Sequence, residues 1–273
     1  MAPATQPRAI GRLDLSVRQI GPGGRSGLDG LRPSGCLKAL FPRMADPARG
    51  VEAVMINTSG GITGGDRLTV RAEAGAGARL RLTTQAAERA YAAQPGSHGR
   101  VTTRLHAAKR ARLDWLPQEM ILYNRSALRR SLRIEMAGDA SVLLVEPVVF
   151  GRAAMGERVS DLSLRDRIEI WRDGALVYLD AVALDGDAEA QLARRAVAAG
   201  AGAMACVVLA APGAGAHLDA VRALLPQGGG VSLIRDGLLA ARLLARDAHA
   251  LRATLIPVLS RLSDAPLPRS WMT

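Results

Sequence analysis

The residues best suited to chemistry gather in one short stretch. Asn57-Thr-Ser-Gly-Gly-Ile-Thr-Gly-Gly-Asp66 sets two glycine pairs, Gly60-Gly61 and Gly64-Gly65, among the hydroxyls of Thr58, Ser59 and Thr63, and closes on the Asp66 carboxylate. Glycine is the costliest residue to order, so this density indicates backbone that needs positive φ or close approach by another group. A phosphate cradle is the first chemistry to test. A P-loop needs Gly-x-x-x-x-Gly-Lys-Ser/Thr, and a dinucleotide turn needs Gly-x-Gly-x-x-Gly opening a helix. No lysine follows these glycines, and Arg67-Leu-Thr-Val-Arg71 alternates like a strand, so neither fits. The remaining local reading is a hairpin with a bulged, glycine-rich turn.

Further carboxylates stand at Glu119, Glu146 and Glu157. Asp66 can cap the turn that it ends or serve as a ligand. Glu146 follows the apolar strand 142–145 and precedes Pro147, a placement that leads us to expect an inward, partly buried carboxylate. A carboxylate buried alone is costly, and that favours an arginine partner, a cation or a water-filled channel beside it. Glu157 has Arg152 and Arg158 close by as ion-pair partners. The stretch Thr83-Thr84-Gln85 offers short polar groups where a strand ends, but no nucleophile elbow and no Ser/His/Asp or Cys/His order accompanies it. Trp115 and Tyr91 read as core or interface anchors. His98, His106, His217 and His249 occur singly, without a paired-ligand spacing, so any metal is expected to be held loosely, by carboxylates and water. An enzymatic alternative is a metal-dependent hydrolase built on Asp66, Glu146 and His106. It needs those groups to converge in one pocket.

The elements that would position these groups are mainly strands. Strand signals fall at residues 80–82, 101–106, 113–116, 132–136, 142–150, 168–171 and 176–182. Gly77-Ala-Arg-Leu-Arg-Leu82, Arg110-Ala-Arg-Leu-Asp-Trp115 and Asp139-Ala-Ser-Val-Leu-Leu144 each place an alanine just before a strand, a rhythm that suits sheets stacked in a coil. Residues 1–35, with Pro3, Pro7, Pro22, Pro33 and the run Gly21-Pro-Gly-Gly24, read as a partly irregular end carrying one edge strand near residues 12–20. From about residue 185 the pattern changes. Residues 188–199 and 217–225 have helical character, Asp247 opens a third helix, and residues 204–209 and 231–245 read as strands. The expectation is a single domain, 1–273, mainly β, with a smaller helix-containing α+β part at about 185–273 and no flexible linker.

Composition bounds the partners. The chain has 273 residues with 48% hydrophobic and only 3% aromatic content, so its core is built from Leu, Val, Ile and Ala. Its formal charge is +11, carried almost wholly by arginine, since only Lys38 and Lys109 are lysine. Without interleaved aromatics the arginines do not suggest nucleic acid, and a basic surface that meets an acidic protein partner is the better reading. Cys36 and Cys206 form no framework, and residues 1–15 hold no apolar signal segment, so a reducing, cytoplasmic setting is expected. The uncharged stretch 196–216 is mostly Ala and Gly with Pro212 inside, which favours a buried helix-turn-strand over a membrane span.

The glycine stretch with Arg67 and Leu68 resembles the signature of the urease accessory protein family called UreD, or UreH in some organisms. Three later segments agree in order: Thr83-Thr-Gln-Ala-Ala87 with Tyr91, Leu113-Asp-Trp-Leu-Pro-Gln-Glu119, and Glu146-Pro147 leading into Gly151-Arg-Ala-Ala-Met-Gly-Glu157. The resemblance implies a mainly β fold of stacked, coiled sheets, solenoid-like, with a smaller helical part. It implies a non-enzymatic maturation factor that brings apo-urease together with other accessory proteins, UreF- and UreG-like and including a GTPase, and admits a dimer within that complex. No cofactor would be tightly bound; nickel would pass in transit through an internal polar passage. Asp66, Glu146 and Glu157, with Thr84, would be weak waypoints, and Gly60, Gly61, Gly64, Gly65, Gln85 and Glu119 further functional positions. On this reading Asp66→Ala leaves the fold largely intact and Gly65→Val damages it.

Overall fold

Strands in the central region keep their apolar residues at every second position, which in an extended chain puts them on one face. In the computed structural model, which describes residues 7–20, 24–43, 46 and 50–272, those faces meet between two sheets, and the chain coils from one sheet to the other. The first coil opens with β1 (Ile10–Ile20) and β2 (Arg25–Gly35) and crosses through β3 (Leu37–Leu40) to β4 (Val51–Asn57). The second runs β5 (Arg67–Ala74), β6 (Arg79–Thr84) and β7 (Glu88–Ala90), and the third β8 (Gly99–Ala107), β9 (Arg112–Leu116) and β10 (Met120–Leu122). A fourth follows with β11 (Ala127–Met136) and β12 (Ser141–Phe150), after which β13 (Leu162–Arg172) returns to the first sheet and β14 (Ala175–Gly186) folds back along it. This is a β-solenoid.

The first sheet holds β1, β5, β8, β11 and β13 in parallel, with β2 and β14 antiparallel at its edges. In the second, β4, β6, β9 and β12 are parallel. The alanine rhythm marks the corners between the sheets. Ala78, Ala111 and Ala140 are buried, and each donates its N–H to the carbonyl three residues back, at 2.9, 3.0 and 3.0 Å. The strands that follow lie in register, so Leu80, Leu113 and Val142 form one column, in the same core as Leu13, Leu68 and Leu105 of the first sheet. Burying each such leucine or valine stabilises by about 1.5–3 kcal/mol, and the repeat adds one per coil.

The remaining elements close the second sheet. After α1 (Ala188–Ala193) come β15 (Ala203–Ala210), α2 (Leu218–Leu224), β16 (Gly230–Arg235), β17 (Leu238–Ala245) and α3 (Ala248–Leu262). β15 pairs antiparallel with β12 and β17, so the α+β part continues the solenoid's own sheet. α3 starts at Asp247, whose carboxylate accepts from the Ala250 N–H. Its buried face, Leu251, Leu255, Val258, Leu259 and Leu262, makes a second core with Leu143, Val145, Leu209 and the fully buried Trp271.

Three expectations are corrected. The N-terminal region carries a two-stranded hairpin, and β1 lies inside the sheet with β2 as the edge; Pro3, Pro22 and most of the Gly21 run fall outside the described residues. The helix expected over 188–199 stops at Ala193, because Arg194 is extended and Ala199 takes a positive φ of 49°. The uncharged stretch 196–216 is a turn, the wholly buried β15 and a 3-10 turn, with no helix ahead of the strand. No described helix is long and apolar enough to cross a membrane.

Candidate functional site

The glycine stretch carries the chain from β4 in the second sheet to β5 in the first. These strands do not pair with each other, so the hairpin reading is wrong: the segment is a corner of the solenoid. Asn57 organises it. Its Oδ1 accepts from the Ser59 N–H at 3.1 Å and hydroxyl at 2.6 Å, while its amide donates to the Gly61 carbonyl at 3.2 Å and to Glu88 Oε2 at 3.1 Å. Gly60, Gly61 and Gly65 have φ of +79°, +151° and +90°. A Cβ on Gly61 would stand 2.3 Å from the Tyr91 ring, and one on Gly64 2.0 Å from Ser97 Oγ. Asp66 is buried with both oxygens engaged, Oδ1 by the Ala9 N–H and Oδ2 by the Thr63 N–H, each at 2.8 Å.

Behind this corner a cavity of about 210 Å³ runs in between the sheets. Asn57, Thr84, Gln85, Ala87 and Glu88 stand near its entrance, and Thr103, Trp115, Arg130 and Glu146 line its depth. Burial pushes the Glu88 carboxyl up; the Asn57 hydrogen bond, the Arg89 N–H and the Arg89 charge pull against it. Thr84 braces the entrance: its hydroxyl accepts from the Gln118 N–H at 2.8 Å and donates to the Ala86 carbonyl at 3.0 Å.

The deep end is ionic. Glu146 enters from β12, Oε1 taking the Trp115 Nε1–H at 2.6 Å and Oε2 lying 2.5 Å from Arg130 Nη1, in ion-pair contact without hydrogen-bond alignment. Arg130 enters from β11 and binds Asp166 on β13, its register neighbour, through Nε at 3.0 Å and through Nη2. All three side chains are less than a tenth exposed. Burial raises the Glu146 pKa above its ordinary value; Arg130 opposes this, Asp166 adds to it, and the Trp115 hydrogen bond opposes it. Burial would lower the pKa of Arg130, yet the two carboxylates raise it further, so the guanidinium stays charged. A polar line continues past the triad. Cys206 lies opposite Glu146 on β15, its sulfur 3.1 Å from the Tyr178 hydroxyl, and burial drives the thiol up to about 12. Next to it Arg242 pairs with Asp180 at the edge of the sheets.

A family model described as UreD urease accessory protein matches residues 9–272. The chain belongs to the UreD family. Urease accessory proteins UreD of Roseobacter denitrificans and Ruegeria sp. are 51% and 50% identical to it, the first over 98% of this chain and 97% of its own, the second over 99% and 93%. That of Sinorhizobium medicae is 46% identical over 91% of each chain. The protein is therefore an accessory factor in urease maturation, not an enzyme in its own right.

Other positions singled out in this UreD-family chain serve the scaffold around the cavity. Glu157 lies 2.9 Å from Arg152 Nε and accepts the Asn124 and Arg152 N–H groups at 3.1 and 3.0 Å; the Arg152 hydrogen bond chiefly lowers its pKa. Glu119 faces α3, 3.2 Å from Arg252, whose guanidinium stacks over Trp271. Gln85 is exposed beside the entrance, and its N–H reaches the Met55 carbonyl at 3.0 Å. His106 points out of the first sheet, 3.6 Å from Glu73. Asp66, Glu146 and His106 thus lie at a corner, in the interior and on the outer face, and the hydrolase they were to form is not assembled. Among the described residues no group of three His, Cys, Asp or Glu side chains is placed to hold a metal ion. Sequence reasoning missed Arg130 and Asp166. The signal was present: each interrupts an inward alternation, Leu128-Arg130-Leu132-Ile134 and Leu164-Asp166-Ile168-Ile170.

Proposed function

We propose that this UreD-family chain scaffolds apo-urease with its other accessory proteins, a GTPase among them, and passes nickel toward the urease centre through the space between its sheets. The observation that carries this reading is the cavity that ends on the Glu146–Arg130–Asp166 triad. With both carboxylates ionised the triad carries one net negative charge, enough to favour a passing cation and too little to capture it; release requires weak binding. Glu88 at the entrance and Glu146 at depth are the two carboxylates that line the cavity. Asp66 and Glu157, whose oxygens are taken up by backbone N–H groups and Arg152, set the corners that shape it. Tyr178, Cys206 and Asp180 mark the far side.

Urease purified from cells with and without this chain tests the role. Protein that is present but nickel-poor without the chain supports it; full loading regardless overturns it. Ala87→Trp tests the passage, since a large ring there narrows the cavity at its entrance, away from the triad. Expected is a folded variant that supports little nickel loading, and normal loading by a stable Ala87→Trp protein would show that nickel takes another route.

A further inference from the structure

The solvent side of the first sheet carries a repeat that the passage does not use. Arg67-Leu-Thr69-Val-Arg71 on β5, Arg100-Val-Thr102-Thr-Arg104 on β8 and Arg129-Arg-Ser131-Leu-Arg133 on β11 lie side by side in register. Leu68, Val70, Leu128 and Leu132 point into the core, so the odd-numbered residues of β5 and β11 and their register partners on β8 point out. The result is a row of arginines (Arg67, Arg100, Arg129), a row of hydroxyls (Thr69, Thr102, Ser131) and a second row of arginines (Arg71, Arg104, Arg133), with neighbouring strands about 4.8 Å apart. Arg165 extends the first row on β13.

Like charges directly opposite one another on a sheet are destabilising. The next row instead reads Glu73, His106, Glu135, and where two arginines face each other on the second sheet, Arg79 and Arg112, Asp264 and Asp114 hold them. Among the described residues Arg67, Arg71, Arg100, Arg104 and Arg129 have no ion-pair partner, and all are exposed. The outer face of the second sheet is covered by α3, whereas this one is bare. Beside it β2 walls an open groove of about 800 Å³ whose lining includes Arg71, Arg104 and Arg133 together with Glu73 and Glu135.

We propose that this face docks an acidic protein surface of the maturation complex. Arg133 and Arg165 are held by Glu135 and Asp185, but the five unpaired arginines of these rows ask for carboxylates from outside, the hydroxyl row supplies neutral hydrogen bonds between them, and the Glu73–Glu135 row fixes the register by repelling a misplaced acid. A nucleic acid is disfavoured, because Trp171, the ring beside these positions on β13, is already covered by Arg133 at 4.6 Å and the acidic row would repel a phosphate track. The proposal rests on the function above only for the setting of the partner.

The test measures binding of the whole chain to purified apo-urease and to each purified accessory protein, at low and high salt. Expected is one partner whose binding weakens with salt and falls at least about tenfold with Arg71→Glu/Arg104→Glu, while Arg194→Glu/Arg195→Glu, exposed elsewhere with the same charge change, binds like wild type. Equal binding by Arg71→Glu/Arg104→Glu to every partner overturns the proposal, and so does an equal loss in the Arg194/Arg195 control. A duplex DNA probe that binds wild type and is lost on the same reversal would reassign the face to nucleic acid. Nickel loading separates the two readings: if deletion of the chain leaves urease loaded, the maturation role fails. If deletion empties urease while the binding-competent reversal variant loads it fully, only the docking face fails.

Discussion

The Glu146 carboxylate and the Arg130 guanidinium meet 2.5 Å apart inside the protein, one arriving from each sheet. Their pairing ties the two faces of the solenoid at a point where the neighbouring columns are leucine and valine, and Asp166 on the far side of Arg130 keeps the guanidinium saturated. Desolvating these ions is expensive, so the cluster specifies geometry more than it adds stability.

Removing the central cation is expected to be severe. Arg130→Met leaves two carboxylates facing each other in a buried site, and breaking a buried pair in this way costs about 3–5 kcal/mol. Urea unfolding at neutral pH reads this as a lower midpoint. The deficit should shrink in acid, where Glu146, whose proton affinity burial raises, accepts a proton; a variant as stable as wild type at neutral pH would mean that water already reaches the triad.

Glu146 and Glu157 titrate in opposite senses. Burial raises Glu146, so the folded state holds a proton that the unfolded chain releases, and its contribution is lost as pH rises above the ordinary 4.5. Stability of wild type relative to Glu146→Gln should therefore fall as pH climbs past that value. Glu157 is lowered by Arg152, so its contribution is present above 4.5 and is lost as pH falls through its folded value. Wild type should exceed Glu157→Gln at neutral pH, with the gap closing in acid. Unfolding midpoints measured across pH for the three proteins decide both signs.

The glycine corner distinguishes its members. Gly60 has φ +79° with open space around it, so Gly60→Ala carries only left-handed backbone strain, about 1–2 kcal/mol. Gly61→Ala meets the Tyr91 ring at 2.3 Å and the Arg89 carbonyl at 2.8 Å as well, and should cost more than Gly60→Ala. Thermal melting of the pair checks the order; equal melting temperatures would show that Tyr91 yields freely.

Asp66→Ala is not the mild change that a turn carboxylate suggests. It orphans the N–H groups of Ala9 and Thr63, one at the entry to β1 and one in the corner, at about 1–3 kcal/mol for each donor left without a partner. Hydrogen exchange at those two amides should rise in the variant; protection as in wild type would mean that water replaces the carboxylate at no cost.

Period-two alternation determined the strands, because it is local: the side of a strand on which Leu68 or Ile134 falls depends only on its neighbours. The alanine rhythm also carried the stacking, since Ala78, Ala111 and Ala140 mark corners that only a small residue fills, and their spacing sets which strands come into register. The glycine motif was legible as unusual backbone, and as a family signature, yet its geometry was not: whether it closes a hairpin or turns a corner depends on which sheet β5 joins, a choice made by residues far away in the chain. The same holds for the site. Glu146 announced in the sequence that it needed a partner, but with 36 basic residues available the sequence could not say which. Tertiary structure decided it, because only the coil puts Arg130 on one sheet across from Glu146 on the other, with Asp166 beside it. Burial then raises the proton affinity of Glu146, and the carboxylates beside Arg130 keep its guanidinium charged, effects that belong to the whole packed body.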